Sequence, residues 1–482
     1  MGRAALSRSG LSARRRIAWQ RLGPRVASAG LPAWSLVIGG LALLVRLPFL
    51  FGEHSVPPHS DNGYYLYLAD GLLDGEGFRG QHFWTPGYPA FLALLQLLPG
   101  RVEDATTITQ HLLGAALTVA ILAAGWRYFG KPAGVLAATF AAVTPVLVVH
   151  EHTILPDFLF GILLLVGAIT LAEAVRRKPV DWRLLVATGV VFGAATWVKP
   201  AGQFLFAAAP LALLFATRNA RRLLTGSAIV AVTLLVVITP WLVRNTVRFG
   251  YPSMSNQGGR TLFYRAFDVD RMPIPLDQRY GPFAETVRKR IAGRPDEQLT
   301  YRFHYDLIDK RGLSEEEATR IARRLAIVAI RRHPSKYVKG TWREVKNSVA
   351  DLTVPGGSRH ESSEVLLQEL ERTRPPFPKA ATKRVWDGAR VLNSLWWLLS
   401  LHAAAGLLTL LIGTREARNA AAALWSVWIV MAVGTAMAHG ALWRYSVQLA
   451  PITWILSSAG IVILVSSVWT RLASQRAKRW AG

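Results

Sequence analysis

Five ionisable side chains stand where the long apolar runs of this 482-residue sequence begin or end. They are Glu151 and Asp157 in "HEHTILPD", Lys199 in "WVKPAG", Arg244 in "PWLVRN" and Arg444 in "LWRYS". Asp61 joins them from "HSDNGYYLYLADGLL", just after the first apolar run. Cations and carboxylates at one depth suit a substrate that carries a phosphate and is itself held in the membrane. The cations neutralise the phosphate, and a carboxylate moves a proton beside it. Any one of the cations is explained equally well by snorkelling to the headgroups. Three of them on one side, opposed by carboxylates, point to a site. Asp61 also reads as a helix cap, a role that Ser60 fills equally well, and capping is compatible with proton transfer.

The histidines say less. His82 in "GQHFWTP" shares a loop with Asp61 and suits stacking or hydrogen bonding. The "HEH" of His150–His152 places neighbours that do not face one way on a helix, so it reads as polar interface rather than a metal cluster. If a divalent metal ion is held at all, Asp61, Glu151 and His82 are the candidate ligands. No Gly-rich phosphate loop, Ser-His-Asp arrangement or zinc signature is present. With no cysteine, disulfides, thiolate metal sites and cysteine nucleophiles are excluded.

What positions these residues is a set of apolar helices. A hydrophobic content of 51% with 17 Trp indicates an all-α polytopic membrane protein. Runs long enough to span lie at about 31–51, 105–126, 132–149, 155–175, 183–199, 201–217, 223–243, 391–413, 419–438 and 446–469, about ten in all. Alternate connections carry the basic residues: Arg14–Arg16, Arg127 and Lys131, Arg176–Lys178 and Arg183, Arg218, Arg221 and Arg222, Arg415 and Arg418, and Arg471, Arg476, Lys478 and Arg479. The positive-inside rule then puts both termini in the cytoplasm of a multi-pass inner-membrane protein, with Asp61, Lys199, Arg244 and Arg444 at the outer face. "TPGYPAFLALLQLLPG" is too short and Pro-bounded to cross, and reads as a re-entrant or juxtamembrane helix. Before it, Tyr65, Leu68 and Leu72 recur at helical spacing until Gly71, Gly75 and Gly77 loosen the chain.

The expected division is a basic cytoplasmic tail (1–30), an N-terminal transmembrane module (31–249) with a first external loop at 52–104, a mainly helical external region (250–390), C-terminal transmembrane helices (391–470) and a second basic tail (471–482). In the external region Ser314 and Glu317 form a capping-box pattern, and Pro334 should split the helix that follows. The formal charge of +26 falls between apolar runs, where it meets anionic lipid and sets orientation rather than binding nucleic acid.

The ordered set "SDNGYYLYLADGLLDGEGF", "HFWTPGYPAFLAL", "PWLVRNTVRFG" with "NQGG", and "WRYSVQLAPITWIL" resembles the bacterial family 39 glycosyltransferases. These are related to protein O-mannosyltransferases and lipid A aminoarabinose transferases, all of the GT-C membrane fold. The similarity runs over most of the chain and fades across residues 275–390. The resemblance implies a GT-C-type helical bundle and inverting transfer of a sugar from a polyprenyl-phosphate donor to an envelope acceptor, whether glycan, lipid or protein, on the outer face. It maps the general base onto Asp61, the second-loop acidic position onto Glu151, and cations expected to bind the phosphate onto Arg244, Arg444 and Lys199; Asp157, His82 and Tyr65 are supporting candidates from the residues themselves. Two departures stand out. Asn62 replaces the second acid that many relatives carry in the first loop, which weakens the case for a bound divalent metal, and Lys199 replaces a frequent Arg, losing its bidentate fork. The alternative reading is a transporter or flippase of lipid-linked sugars. That would call for ionisable groups near mid-membrane and internal repeats, and neither is visible.

Overall fold

A computed structural model describes residues 30–50, 61–294, 297–353, 405–439 and 447–480, and no strand occurs among them. In lipid an apolar segment must pair its own backbone N–H and C=O groups, which a helix does within one segment. The chain accordingly folds as α1 (Leu31–Leu50), a juxtamembrane pair α2 (Asp61–Leu73) and α3 (Gly87–Gln96), then α4 (Val102–Phe129), α5 (Lys131–Val143), α6 (Pro145–Glu151), α7 (Pro156–Arg176) and α8 (Trp182–Val198). A 3-10 helix, Pro200–Ala207, leads into α9 (Ala208–Ala216) and the long α10 (Ala220–Phe249). Next come α11 (Gln257–Phe263), a π-helical turn at Tyr264–Val269, α12 (Gly281–Ile291), α13 (Leu299–Arg311), α14 (Glu315–Arg332) and α15 (Pro334–Thr353). The last elements are α16 (Leu408–Leu411), α17 (Arg415–Ala438) and α18 (Ala450–Trp480).

Among the described residues, α4, α7, α10, α17 and α18 contain stretches long and apolar enough to cross a membrane, and α1, α5, α8 and Pro200–Ala216 are shorter apolar helices. The protein is an all-helical, multi-pass membrane protein. Two expected spans are interrupted. The run at 132–149 breaks at Thr144, because Pro145 has no N–H to donate and pushes its predecessor out of helical geometry. The run at 201–217 starts as the 3-10 helix before becoming α9. The run expected at 391–413 lies mostly outside the described residues.

The ten-residue α3 rises about 15 Å, half of a hydrocarbon core. It docks on the end of α8: Thr85 Oγ1 donates to the Val198 carbonyl (3.0 Å), and Tyr88 and Leu92 are fully buried. Gly87 permits the approach, since a Cβ there would lie 2.7 Å from the Trp197 carbonyl carbon. Between α8 and α10, Gly189 and Gly193 let the backbone come close to Thr233 and Val237, the small-residue packing that membrane helices use.

The region from α11 to α15, expected from the sequence to be external, has its own apolar core, in which Phe263 stacks on Phe303 at 4.9 Å. Ser314 and Glu317 complete the expected capping box on α14, and Pro334 opens a separate helix. Two bonds fasten this region to the end of α17: Arg265 Nε donates to the Ala436 carbonyl (2.7 Å) and the Tyr337 hydroxyl to the Met437 carbonyl (2.7 Å). The region is thereby held over the ends of the spans.

Candidate active site

Where the external region meets the helix ends, a cavity of about 1020 Å³ opens. Its first wall is α2, which begins at Asp61 and presents that carboxylate at the positive end of the helix dipole. The position of α2 is set by Tyr65, whose ring packs against Trp84 (4.8 Å) and edge-on against Tyr88 (5.1 Å). Tyr65, Trp84 and Thr85 therefore line the same wall as Asp61.

The floor comes from the ends of two spans. Lys199, following α8, donates from Nζ to Asp157 Oδ1 in the first turn of α7 (2.7 Å), and Gln448 Nε2 donates to the same oxygen (2.6 Å). The roof is one face of α14. Glu316, Thr319, Arg320 and Arg323 look into the cavity, while Ala318, Ala322, Leu325, Ala326 and Ala329 face the apolar core. Residues 249–259 and the Thr435–His439 end of α17 close the sides.

A smaller chamber of about 140 Å³ shares Asp61, Trp84, Gln257, Thr261 and His439 with the large one and adds Arg260, Thr300 and Tyr301. The Arg260 guanidinium lies over Phe83 (4.2 Å) and Tyr301 (5.3 Å), which orients it by cation–π attraction. Asp61 thus stands at the junction of a large and a small space.

His82 is buried behind this wall. Its Nε2 meets the Tyr251 hydroxyl (2.7 Å), its ring stacks on Phe249 (3.9 Å), and Tyr251 donates on to Asn256 Oδ1 (3.3 Å). Burial pulls the imidazole below its usual pKa, and the charge of Arg244 adds to this, against the opposing pull of Glu316 and Glu315. His82 is neutral near pH 7, and it positions Tyr251 and Asn256, both of which line the large cavity.

The other expected residues divide. Arg244 does not line either chamber. It donates from Nη1 to the Gln81 carbonyl (3.0 Å) and to Asn245 Oδ1 (2.7 Å), and lies 4.4 Å from the Trp241 ring, so it clasps the 81–86 loop to α10. Glu151 is fully buried inside the bundle and outside both chambers. It accepts from Arg46 Nε (2.7 Å) and Nη2 (2.6 Å) and meets His111 Nδ1 (2.9 Å), in space that the missing side chain of Gly114 leaves open. His111 Nε2 lies 3.2 Å from His152 Nδ1. Arg444 lies outside the described residues. Among the described residues no group of three or more His, Asp or Glu side chains forms a metal set, so Asp61, Glu151 and His82 are not gathered around one ion.

Sequence reasoning missed Arg46, although a lone Arg inside an apolar run is itself a signal of a buried partner. It also missed the roof. The Glu316–Arg320 and Thr319–Arg323 spacing marks a polar face of α14, but nothing in the spacing says what that face covers.

Two solved structures are similar to the chain at low identity. The archaeal oligosaccharyltransferase AglB from Archaeoglobus fulgidus, in complex with an inhibitory peptide and a dolichol-phosphate, is 13% identical with a TM-score of 0.49. The alignment takes in 92% of this chain and 52% of AglB, so the chain spans about half of that protein's length. ArnT from Cupriavidus metallidurans bound to undecaprenyl phosphate is 14% identical with a TM-score of 0.40, over 89% of this chain and 78% of ArnT. No curated protein sequence matches the chain. Residues 84–243, which run from Trp84 in the cavity wall through the Asp157–Lys199 floor, match the family model described as dolichyl-phosphate-mannose-protein mannosyltransferase.

Proposed function

We propose that the protein transfers a sugar from a polyprenyl-phosphate-linked donor to an acceptor hydroxyl at the outer face of the inner membrane, with inversion at the sugar's anomeric carbon. The observation that carries this reading is Asp61, a carboxylate at the junction of a large chamber floored by span ends and a small chamber lined by Arg260 and Tyr301. The family name adds a prenyl-phosphate donor to the picture. A donor tethered by its prenyl tail reaches the large chamber from the bilayer, and the acceptor hydroxyl enters from the smaller one.

In this mechanism Asp61 takes the proton of the acceptor hydroxyl as its oxygen attacks the anomeric carbon. The bond from that carbon to the phosphate oxygen breaks, and the electron pair leaves with the polyprenyl phosphate. A single displacement by one base inverts the centre. Lys199, Arg320 and Arg323 face the departing phosphate and offset its growing charge. Asp157 and Gln448 fix the Lys199 ammonium, while Arg244 and His82 hold the loops that form the wall.

Purified full-length protein in nanodiscs, given a polyprenyl-phosphate donor with a radiolabelled sugar and envelope extract as acceptor, tests the proposal. Asp61→Asn should slow transfer by about 100-fold or more while the protein still binds donor. Transfer by Asp61→Asn at the wild-type rate would remove Asp61 from the role. Movement of the donor across liposomes with no transfer would point to a transporter.

A further inference from the structure

Four spans have one end at the Asp61 cavity and the other at a second cavity, of about 860 Å³. Asp157 and Val175 of α7 lie at opposite ends of one helix and line opposite cavities, and α8, α10 and α17 run between the same two levels. At 1.5 Å per residue the levels are about 30 Å apart, the thickness of a hydrocarbon core. The second cavity therefore faces the other membrane surface.

Its lining carries six cations, Arg177, Lys178, Arg218, Arg222, Arg415 and Arg418, and no Asp or Glu. Arg177 pairs with Asp181 (2.6 Å) and Arg415 donates to the Ala216 carbonyl (3.4 Å). Among the described residues, Lys178, Arg218, Arg222 and Arg418 have no carboxylate within 4.0 Å. The positive-inside rule explains why such residues lie on this side. It does not explain why they converge from the end of α7, the start of α10 and the start of α17 around a cavity. The inner lining is apolar, with Val175, Val180 and Leu410. At the mouth, Phe215 is 62% exposed, where acyl chains would meet it.

We propose that this cavity binds the headgroup of an anionic phospholipid from the adjoining leaflet, its phosphodiester held by Arg218, Arg222 and Arg418 and its first acyl carbons on Phe215. Basic pockets between membrane helices favour such lipids, and the apolar mouth suits a lipid where a soluble phosphate would have no use for it. The site is independent of the transfer chemistry at the other face.

The test uses the full chain, delipidated in detergent and titrated with phosphatidylglycerol or phosphatidylcholine while bound lipid is counted by native mass spectrometry. Wild type should retain phosphatidylglycerol preferentially. The Arg222→Ala, Arg418→Ala double variant should lose that retention by about tenfold or more, and the Arg222→Lys, Arg418→Lys variant should restore most of it. Equal retention of the two lipids by wild type would overturn the proposal whether or not any variant folds, as would unchanged retention by a folded alanine variant. Displacement of phosphatidylglycerol by millimolar inorganic phosphate or pyrophosphate would assign the site to a soluble phosphate and overturn the lipid assignment.

Discussion

The Arg46–Glu151 pair lends itself to a quantitative experiment, because it is fully buried and its geometry is complete. Glu151 takes two charge-assisted bonds from one guanidinium, at 2.6 and 2.7 Å, and a third from His111 at 2.9 Å, while Arg46 also donates to the Ala42 carbonyl at 3.0 Å. Removing either partner leaves the other charge buried without its counter-ion. Such breakage costs about 3–5 kcal/mol, whereas replacing both members of a buried pair with neutral side chains is often close to neutral. Arg46→Met and Glu151→Gln should each destabilise the protein by roughly 3 kcal/mol, and the double variant by much less than their sum. A coupling of about 2–3 kcal/mol is expected from residues in direct contact. Thermal and denaturant unfolding of the four proteins in one detergent supplies the cycle. Additivity within about 0.5 kcal/mol, the behaviour of independent sites, would show that the pair does not act as a unit. Single-variant losses below about 1 kcal/mol would show that water reaches the pair.

Gly87→Ala should force α3 away from α8, since the new Cβ would lie 2.7 Å from the Trp197 carbonyl carbon, at a cost of about 1–3 kcal/mol. Because Trp84 and Thr85 move with α3, transfer should fall by about 100-fold under the proposed mechanism, and an unchanged rate in the same assay would show that the wall can relax. The lowered pKa of His82 predicts a pH dependence. The unfolded chain takes up the proton near pH 6.5, before the buried ring does, so stability is full above that pH and falls as the pH drops toward the folded-state value. Unfolding midpoints from pH 8 to 5 should show a decline that His82→Gln flattens, and a decline of equal slope in the variant would assign it elsewhere.

Much of the bundle was legible because lipid leaves an apolar run few choices. The runs near 105–126, 155–175, 183–199 and 223–243 became α4, α7, α8 and α10 with only small shifts at their ends. The breaks at Pro145 and after Lys199 were harder to place, since a proline in an apolar segment can kink, end or begin a helix. Charge position showed which residues sit at span ends but not where each side chain turns. Asp157 and Lys199 line the cavity floor, whereas Arg244 folds back on the Gln81 loop and Glu151 turns inward to Arg46. The partner of Glu151 is 105 residues away, a separation at which no periodicity speaks. The roof was invisible for the same reason, as the polar face of α14 meets the cavity only through tertiary packing of the external region on α17.

The wall of the large cavity is drawn from residues as far apart as Asp61 and His439, which sets an order in time. Chains emerge from the ribosome N-terminus first. The Arg46–Glu151 clasp can close once α6 is made, but the cavity stays open on one side until the end of α17 has been synthesised and the external region has been fastened to Ala436 and Met437. A chain interrupted anywhere before that point carries Asp61 and no enclosed chamber, so the candidate site comes into being late, after most of the scaffold is already in the membrane.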